Sequence, residues 1–191
     1  RTSESQIHRQ IASGVSFPVG FKNGTSGNVD IAAEAMVSSK FSHCFMGIMK
    51  NGKPAICKTR GNNDTHIILR GGKTASNFNK ESVKLAESIL QKNGVNNRII
   101  IDCSHMNSNK NFKNQYNVVN YYINNLKTNK HIIGLMIESN INEGKQSLPD
   151  NPNKYSGKEI KSKLKYGVSI TDCCIGLKET EEIMYLLFKS L

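Results

Sequence analysis

The 191-residue sequence contains no tryptophan, only four prolines and no long apolar run. Without tryptophan, and without a basic stripe interleaved with aromatic residues, a stacking platform for single-stranded nucleic acid is poorly supported. No segment reaches the roughly 20 apolar residues of a transmembrane helix, and no signal peptide is visible. The net charge of +11 is compatible with a nucleic-acid or anionic-ligand partner, but the lysines are spread over predicted helices and loops. We therefore predict neither a membrane nor a nucleic-acid partner.

Several common catalytic signatures are also absent. The sequence has no Cys-x-x-Cys pair, no Walker loop, no Gly-x-Gly-x-x-Gly fingerprint and no Ser-His-Asp signature. These absences argue against a thioredoxin-like redox centre, a P-loop enzyme, a dinucleotide-binding domain and a serine hydrolase. The cysteines are odd in number and lie in or beside apolar segments, so we expect reduced thiols in a cytoplasmic protein.

Four short apolar segments each end in one charged residue. Pro18–Phe21 precedes Lys22, His66–Leu69 precedes Arg70, Ile99–Ile101 precedes Asp102, and Ile132–Ile137 precedes Glu138. Continuous apolar runs of this length are typical of strands buried on both faces of a parallel sheet. Enzymes with such sheets place their chemistry at the carboxyl ends of the strands.

Amphipathic helices are predicted between these strands. The clearest is 80–93, where Val83, Ala86, Ile89 and Leu90 form one apolar stripe and Gly94 follows the end. The other predicted helices are 3–14 with a Ser3/Gln6 capping box, 28–39, 112–126 with Tyr116, Val119 and Tyr122 or Ile123 inward, and 179–191. Asn51-Gly52 between two apolar runs predicts an inserted β-hairpin, and 140–165 is predicted to be one long polar loop.

The alternation of strands and helices predicts an α/β fold with a parallel sheet. Gly and Pro are scattered, so we expect residues 1–191 to belong to a single domain. Four strand–helix units are half of a (β/α)8 barrel, and half a barrel would leave open sheet edges. Because the chain also begins with Arg1 rather than Met, we expect it to be the C-terminal part of the barrel, with N-terminal sequence missing.

Two groups of strand-end residues are candidates for a binding site. Lys22 and Arg70 suit a phosphate or carboxylate ligand, although both can equally be surface charges paired with acidic neighbours. His105, Glu138 and Asp172 suit a divalent first-row metal ion, although an isolated histidine is more often a structural residue. Cys103, two residues from His105, is either a further metal ligand or a small buried core thiol, and the second alternative fits better.

Read together, these residues resemble a known enzyme family, class I 3-deoxy-D-arabino-heptulosonate 7-phosphate (DAHP) synthase. The resemblance runs from Arg1 to Leu191, with an apparent insertion around 151–165. The motifs that carry it are Arg1-Thr2-Ser3-Glu4-Ser5-Gln6, Pro18-Val19-Gly20-Phe21-Lys22-Asn23-Gly24-Thr25, His66-Ile67-Ile68-Leu69-Arg70-Gly71-Gly72, Asp102-Cys103-Ser104-His105, Ile137-Glu138-Ser139, Glu143-Gly144-Lys145-Gln146-Ser147 and Ser169-Ile170-Thr171-Asp172-Cys173.

The resemblance implies a barrel of which this chain carries strands five to eight, and the first reaction of the shikimate pathway. Phosphoenolpyruvate condenses with erythrose 4-phosphate to give DAHP and phosphate. Arg1, Lys22 and Arg70 are then expected to hold phosphoenolpyruvate. His105, Glu138 and Asp172 are expected to be ligands of a Mn, Fe, Co or Zn ion, with Asp172 also beside the substrate. Lys22 and His105 are the candidates for proton transfer.

The sequence departs from the family pattern at two motifs. The Gly-Pro-Cys-Ser motif that supplies a fourth metal ligand is absent, as is the Lys-Pro-Arg-Thr motif that holds erythrose 4-phosphate. Neither Cys103 nor Cys173 matches the ligand cysteine. The alternatives are 3-deoxy-manno-octulosonate 8-phosphate synthase, which does the same chemistry on arabinose 5-phosphate but fits these motifs less well, and a non-catalytic basic binding protein.

The resemblance also implies regulation and assembly. The predicted hairpin matches a family insertion that helps to form an effector pocket for an aromatic amino acid. Ser16 and Phe45 fall on positions that line this pocket, although ordinary hairpin packing explains Phe45 equally well. A homodimer or homotetramer is expected.

Overall fold

Four parallel strands form the central sheet of the protein, for which a computed structural model describes residues 2–190. Within those residues the strands are β1 (Val19–Lys22), β2 (Cys44–Ile48), β3 (Pro54–Lys58), β4 (Thr65–Leu69), β5 (Ile99–Asp102) and β6 (Ile132–Met136). The sheet has the order β1-β4-β5-β6, and each neighbouring pair is parallel. All four carboxyl ends therefore meet at one edge, which we call the C-terminal rim. The predicted α/β class with a parallel sheet is confirmed.

Helices precede, connect and follow the strands of the sheet. Helix α1 (Gln6–Gly14) precedes β1, and α2 (Asp30–Lys40), α3 (Lys80–Lys92) and α4 (Gln115–Asn125) lie between consecutive strands of the sheet. Helices α5 (Gly157–Lys163) and α6 (Leu177–Ser190) follow β6. The N-terminus of α3 is held by Asn79, whose side chain accepts a hydrogen bond from the Ser82 amide. None of the helices within residues 2–190 combines the length and the apolarity needed to cross a membrane.

The hydrophobic core lies between the sheet and the helices. Strands β4 and β5 contribute fully buried side chains, among them Ile67, Leu69, Ile99 and Ile101. Helix α2 packs against β1 and β4 through a face of small residues and Met36. The buried apolar residues anchor each strand in the core. The charged residue at or just after the end of each strand is therefore fixed in position on the C-terminal rim.

Strands β2 and β3 form the predicted hairpin, separate from the main sheet. They pair antiparallel, with Cys44 opposite Lys58 and Phe45 opposite Cys57. One face of the hairpin is apolar and exposed, and it carries Met46, Ile48 and Ile56. The insertion predicted from Asn51-Gly52 is therefore confirmed as a two-stranded unit with an uncovered apolar face.

Two predictions about helix details are wrong. Ser3 does not cap α1, because its hydroxyl donates to the carbonyl of Lys22 at 2.6 Å and so ties the N-terminal segment to the end of β1. Helix α4 does not turn Tyr116 inward. Val119 is buried as predicted, but Val118 and the side chain of Gln115 are buried in place of Tyr116.

The segment predicted to be one loop between 140 and 165 contains a short helix. Helix α5 begins with a capping box, in which Ser156 and Glu159 exchange side-chain and backbone hydrogen bonds. After α5 the chain returns to the sheet, where Ile175 and Ser139 form a parallel bridge and Cys174 and Gly144 an antiparallel one. This return brings Asp172 to the C-terminal rim.

Candidate active site at the C-terminal rim

The predicted strand-end residues line one open cleft of about 990 Å³. Lys22 is the last residue of β1, Arg70 follows β4, and Glu138 lies two residues after β6. His105 follows β5, and Asp172 reaches the same cleft from the returning segment. The structure therefore brings together the two groups of side chains that the sequence predicted for an anion and for a metal ion.

Asp102, the last residue of β5, is the hub of this cleft, and its side chain is completely buried. Its Oδ2 accepts a 2.7 Å hydrogen bond from Lys22 Nζ and lies 2.8 Å from His105 Nδ1. The second contact is short but poorly aligned with the ring N–H, so Nδ1 lies against the carboxylate without a well-directed hydrogen bond. Burial raises the pKa of Asp102, but the contacts with His105 and Lys22 outweigh burial and lower the pKa below its ordinary value.

His105 adopts a left-handed backbone conformation with φ of 51°. The turn is closed by the amide of Lys110, which donates to the carbonyl of His105 at 2.7 Å. Non-glycine residues in this region are strained by about 1–3 kcal/mol, and such strain concentrates at functional sites. The conformation leaves Nδ1 against Asp102 and turns Nε2 toward two further carboxylates.

The three predicted metal ligands lie close enough to share one ion. His105 Nε2 is 3.6 Å from Glu138 Oε1 and 3.9 Å from Asp172 Oδ2. The three ligand atoms all lie within 4.8 Å of one another. Ligands about 2.0–2.2 Å from one ion are separated by roughly 3–4 Å, so a small contraction of this group suffices. One imidazole and two carboxylates therefore fit a divalent first-row metal ion.

Neither of the two cysteines next to the ligands belongs to this group. Cys103 is fully buried. Burial raises the pKa of its thiol, and the negative charge of Asp102 raises it further. The protonated thiol is a poor metal ligand, so Cys103 is the core residue that the sequence favoured. Cys173 lines the cleft beside Asp172 but is not among the three clustered ligands within residues 2–190.

Arg70 presents an unused donor near the cleft. Its Nε is buried and has no hydrogen-bond partner within residues 2–190. Its backbone is fixed from behind by buried amides, because Asn23 Oδ1 accepts from the Arg70 amide at 2.8 Å and Asn77 Oδ1 accepts from the Gly71 amide at 2.7 Å. A buried donor without a partner is costly, so this guanidinium suits an anionic ligand that supplies the missing acceptor.

Three remaining predicted residues lie elsewhere or cannot be described. Arg1 falls outside the described residues. Ser16 is exposed in the loop after α1, and Phe45 is half-buried on β2. The base of the hairpin contacts the end of α1, since Ser13 Oγ donates to Thr59 Oγ1 at 2.8 Å.

Sequence reasoning assigned no role to Asp102, Ser104 or Gln115. Asp102 stands in the strand-end motif, but its link to Lys22 spans 80 residues of sequence. Ser104 Oγ donates to Glu138 Oε2 at 2.7 Å. Gln115 contacts the backbone of the same glutamate. A polar residue at the first position of a helix does not indicate in the sequence that its side chain is buried against a distant backbone segment.

Comparisons with known proteins identify the family of the chain. The sequence model of the DAHP synthetase I family matches residues 1–185. The chain is 50% identical over 192 residues to the phenylalanine-inhibited phospho-2-dehydro-3-deoxyheptonate aldolase of Saccharomyces cerevisiae, covering 98% of this chain and 50% of that protein. It is 43% identical over 192 residues to the Tyr-sensitive enzyme of the same name from Escherichia coli, covering 100% of this chain and 51% of that protein.

A solved structure gives the same result for the fold. The phospho-2-dehydro-3-deoxyheptonate aldolase of Francisella tularensis superposes with a TM-score of 0.88 at 39% sequence identity, covering 100% of this chain and 52% of that chain. The chain thus spans about half the length of these relatives. Since the family match extends over nearly all of its residues, the chain belongs to the DAHP synthetase I family.

Proposed function

We propose that this chain carries a large part of the active site of a DAHP synthase, a carbon–carbon bond-forming transferase of the shikimate pathway. Carbon 3 of phosphoenolpyruvate bonds to the aldehyde carbon of erythrose 4-phosphate. Water adds at carbon 2, and the bond from carbon 2 to the phosphate oxygen breaks to release phosphate. The observation that carries the proposal is the convergence of Lys22, Arg70, His105, Glu138 and Asp172 on one cleft in a chain of this family.

His105 Nε2, Glu138 and Asp172 would hold the divalent ion, which is Mn, Fe, Co or Zn. When bound, the ion supplies Lewis acidity toward the aldehyde oxygen. The support for this ligand set is the spacing of the three ligand atoms within 4.8 Å. Asp172 is the most exposed of the three, with 71% of its side chain accessible, so it is free to approach both ion and substrate.

Lys22 and Arg70 are proposed to bind phosphoenolpyruvate together with Arg1. The unpartnered Nε of Arg70 supports this role, because an incoming phosphate or carboxylate would satisfy it. The Lys22 ammonium is held over the cleft by Asp102, which fixes its position before the substrate arrives.

Lys22 is better suited than His105 to transfer protons to or from the substrate. Both ring nitrogens of His105 face carboxylates, with Nδ1 against Asp102 and Nε2 toward the proposed metal ligands. The side chain of Lys22 is about one-third exposed and lines the cleft, and its amine carries protons that can move to or from a substrate. We propose that His105 orients the site while Lys22 holds the mobile proton.

The proposed architecture is a single barrel domain, of which residues 1–191 contribute strands five to eight. Its support is the parallel order of β1, β4, β5 and β6, each followed by a helix or by the returning segment. A cytoplasmic location is proposed with it, and the five free thiols are consistent with a reducing compartment.

Regulation by an aromatic amino acid is also proposed. The relatives are named phenylalanine-inhibited and Tyr-sensitive. Ser16 and Phe45 are the proposed pocket residues, and the contact between the hairpin base and the end of α1 supports their proximity.

The proposed homodimer or homotetramer has a candidate contact surface in the exposed apolar hairpin face of Met46, Ile48 and Ile56.

The experiment that tests the proposal combines an activity assay with metal analysis of the full-length protein. Release of phosphate from phosphoenolpyruvate is measured with erythrose 4-phosphate and, separately, with arabinose 5-phosphate. We expect turnover with the four-carbon aldose and its loss, together with the bound metal, in His105→Ala. The control is His131→Ala, an exposed histidine at the opposite end of the sheet. Full activity of metal-depleted His105→Ala, or preference for the pentose phosphate, would contradict the proposal.

A further inference from the structure

We propose that Gln115 and Ser104 are positioning residues that hold Glu138 in place for the metal ion, an inference that rests on the proposed metal site. Gln115 is the first residue of α4, and its side chain is completely buried. A buried amide needs hydrogen-bond partners, and both partners of this one belong to a single residue, Glu138.

The two hydrogen bonds form a clamp on the main chain of Glu138. Gln115 Nε2 donates to the Glu138 carbonyl at 3.0 Å, and the Glu138 amide donates to Gln115 Oε1 at 2.9 Å. An amide N–H only donates and a carbonyl only accepts, so the partners determine which end of the Gln115 amide is which. The carbonyl of Glu138 also accepts from the Ile175 amide at 3.1 Å, whereas its N–H is bonded to Gln115.

The clamp acts where the sheet no longer holds the chain. Strand β6 ends at Met136, whose carbonyl accepts from the Cys103 amide at 2.8 Å. Glu138 lies two residues further along, so its position depends on contacts from outside the sheet ladder. Because successive side chains of an extended chain point to opposite faces, a rotation of this peptide would turn the carboxylate away from His105.

Ser104 holds the other end of the same residue. Its hydroxyl donates to Glu138 Oε2 at 2.7 Å, while Glu138 Oε1 is the oxygen that faces His105 Nε2 at 3.6 Å. The serine is itself fixed, because its amide donates to Asp102 Oδ1 at 2.9 Å. One oxygen of the carboxylate is therefore occupied by Ser104, and the other is left for the ion. Hydrogen bonds behind metal ligands typically contribute 10–100-fold to metal affinity.

The test measures Mn²⁺ affinity of the full-length protein by calorimetry and its unfolding in urea without metal. Gln115→Met keeps the length of the side chain but removes both hydrogen bonds, and we expect Mn²⁺ binding to weaken by about 10–100-fold. The matched control is Asn62→Leu. Asn62 is also a buried amide that clamps backbone, bonding the carbonyls of Ala12 and Phe17 and the amide of Asp64, but it lies before β4 at the opposite end of the sheet. We expect this control to lower stability and to leave Mn²⁺ affinity within about twofold.

A second pair of measurements separates positioning from general folding. Ser104→Ala removes one hydroxyl and should weaken Mn²⁺ binding by about tenfold, with a change in the electron paramagnetic resonance spectrum of the bound ion. In the double variant the two losses should combine to less than their product, because both side chains restrain one carboxylate. If Gln115→Met does not fold, the Ser104→Ala affinity and spectrum decide the question.

The outcomes distinguish this inference from the proposed function. Wild-type protein that binds no divalent ion would overturn both. Wild-type binding with unchanged affinity in Gln115→Met and Ser104→Ala would overturn the positioning role alone and leave the proposed function standing. A loss of affinity in Asn62→Leu equal to that in Gln115→Met would also overturn it, since the effect would then follow stability rather than the position of Glu138.

Discussion

His66 and His105 lie at opposite ends of the same sheet, and their surroundings differ completely. His66 is the second residue of β4, near the amino ends of the strands, where burial and then the charge of Arg98 lower its pKa. His105 follows β5 at the C-terminal rim, where Asp102, Glu138 and Asp172 all lie within 4 Å of its ring. The N-terminal end of the sheet disfavours the charged form of His66, whereas the rim surrounds His105 with carboxylates.

The same contrast holds for the backbone and for buried charge. The rim keeps a fully buried carboxylate, a left-handed histidine and an unpartnered arginine nitrogen within residues 2–190. At the other end, Asp64 and Arg98 form an exposed ion pair at 3.7 Å. Buried charge and strain cost stability, so their concentration at one end of one sheet indicates which end has a function.

The largest difference between the two ends should appear when a carboxylate is neutralised. Asp102→Asn removes the charge that faces Lys22 and His105, and breaking a buried pair of this kind should lower the free energy of unfolding by about 3 kcal/mol. Asp64→Asn breaks the exposed pair and should cost less than about 1 kcal/mol. Urea unfolding of both variants measures the difference, and equal losses would remove the contrast between the two ends.

Two glycines with positive φ extend the comparison to the backbone. A Cβ on Gly71, with φ of 77°, would meet the Asn107 amide nitrogen at 2.8 Å, whereas a Cβ on Gly94, with φ of 63°, would meet nothing within 4 Å. Gly94→Ala should therefore cost only the left-handed penalty of about 1 kcal/mol. Gly71→Ala adds a clash with backbone at the rim and should cost about 2 kcal/mol. Thermal unfolding of the pair measures this, and the opposite order would show that the rim is not tightly packed.

The arrangement of the rim could be predicted from sequence because its signals are local. An apolar run followed by a charged residue defines both the strand and the place where it ends, so the sequence alone predicts that Lys22, Arg70 and Glu138 share one edge of the sheet. Asp102 belonged to the same motif, but its hydrogen bond to Lys22 joins residues 80 positions apart and no local pattern encodes it.

Two other features could not be predicted from the sequence, for different physical reasons. Gln115 is polar, so a hydrophobic pattern assigns it to the surface and turns Tyr116 inward, although the buried amide is stable because both of its ends are hydrogen-bonded. The capping box of Ser156 and Glu159 was present in the sequence and was obscured by the surrounding lysines and asparagines of a segment interpreted as a loop.

Substitution of an arginine at each end tests whether the anion site belongs to the rim alone. Arg70→Lys keeps the charge but loses the planar fork and its unpartnered Nε, so we expect phosphoenolpyruvate to bind about tenfold more weakly. Arg98→Lys makes the same exchange in an exposed ion pair and should leave the dissociation constant unchanged. Calorimetric titration of the full-length protein measures both, and equal affinities in the two variants would argue against the proposed role of Arg70.

The smallest expected effect is the contribution of His66 to the pH dependence of folding stability. Since its folded pKa lies below its ordinary value of 6.5, the unfolded chain binds more protons as pH falls below 6.5. The stability that neutral His66 contributes is therefore complete above pH 6.5 and decreases as pH falls toward the folded pKa. In His66→Gln, the free energy of unfolding measured with urea should therefore depend less steeply on pH below 6.5. Arg98→Gln should raise the His66 pKa, as followed by NMR of the ring protons, without restoring it fully, because burial is the larger cause. An unchanged His66 pKa in Arg98→Gln would mean that burial alone keeps this histidine neutral.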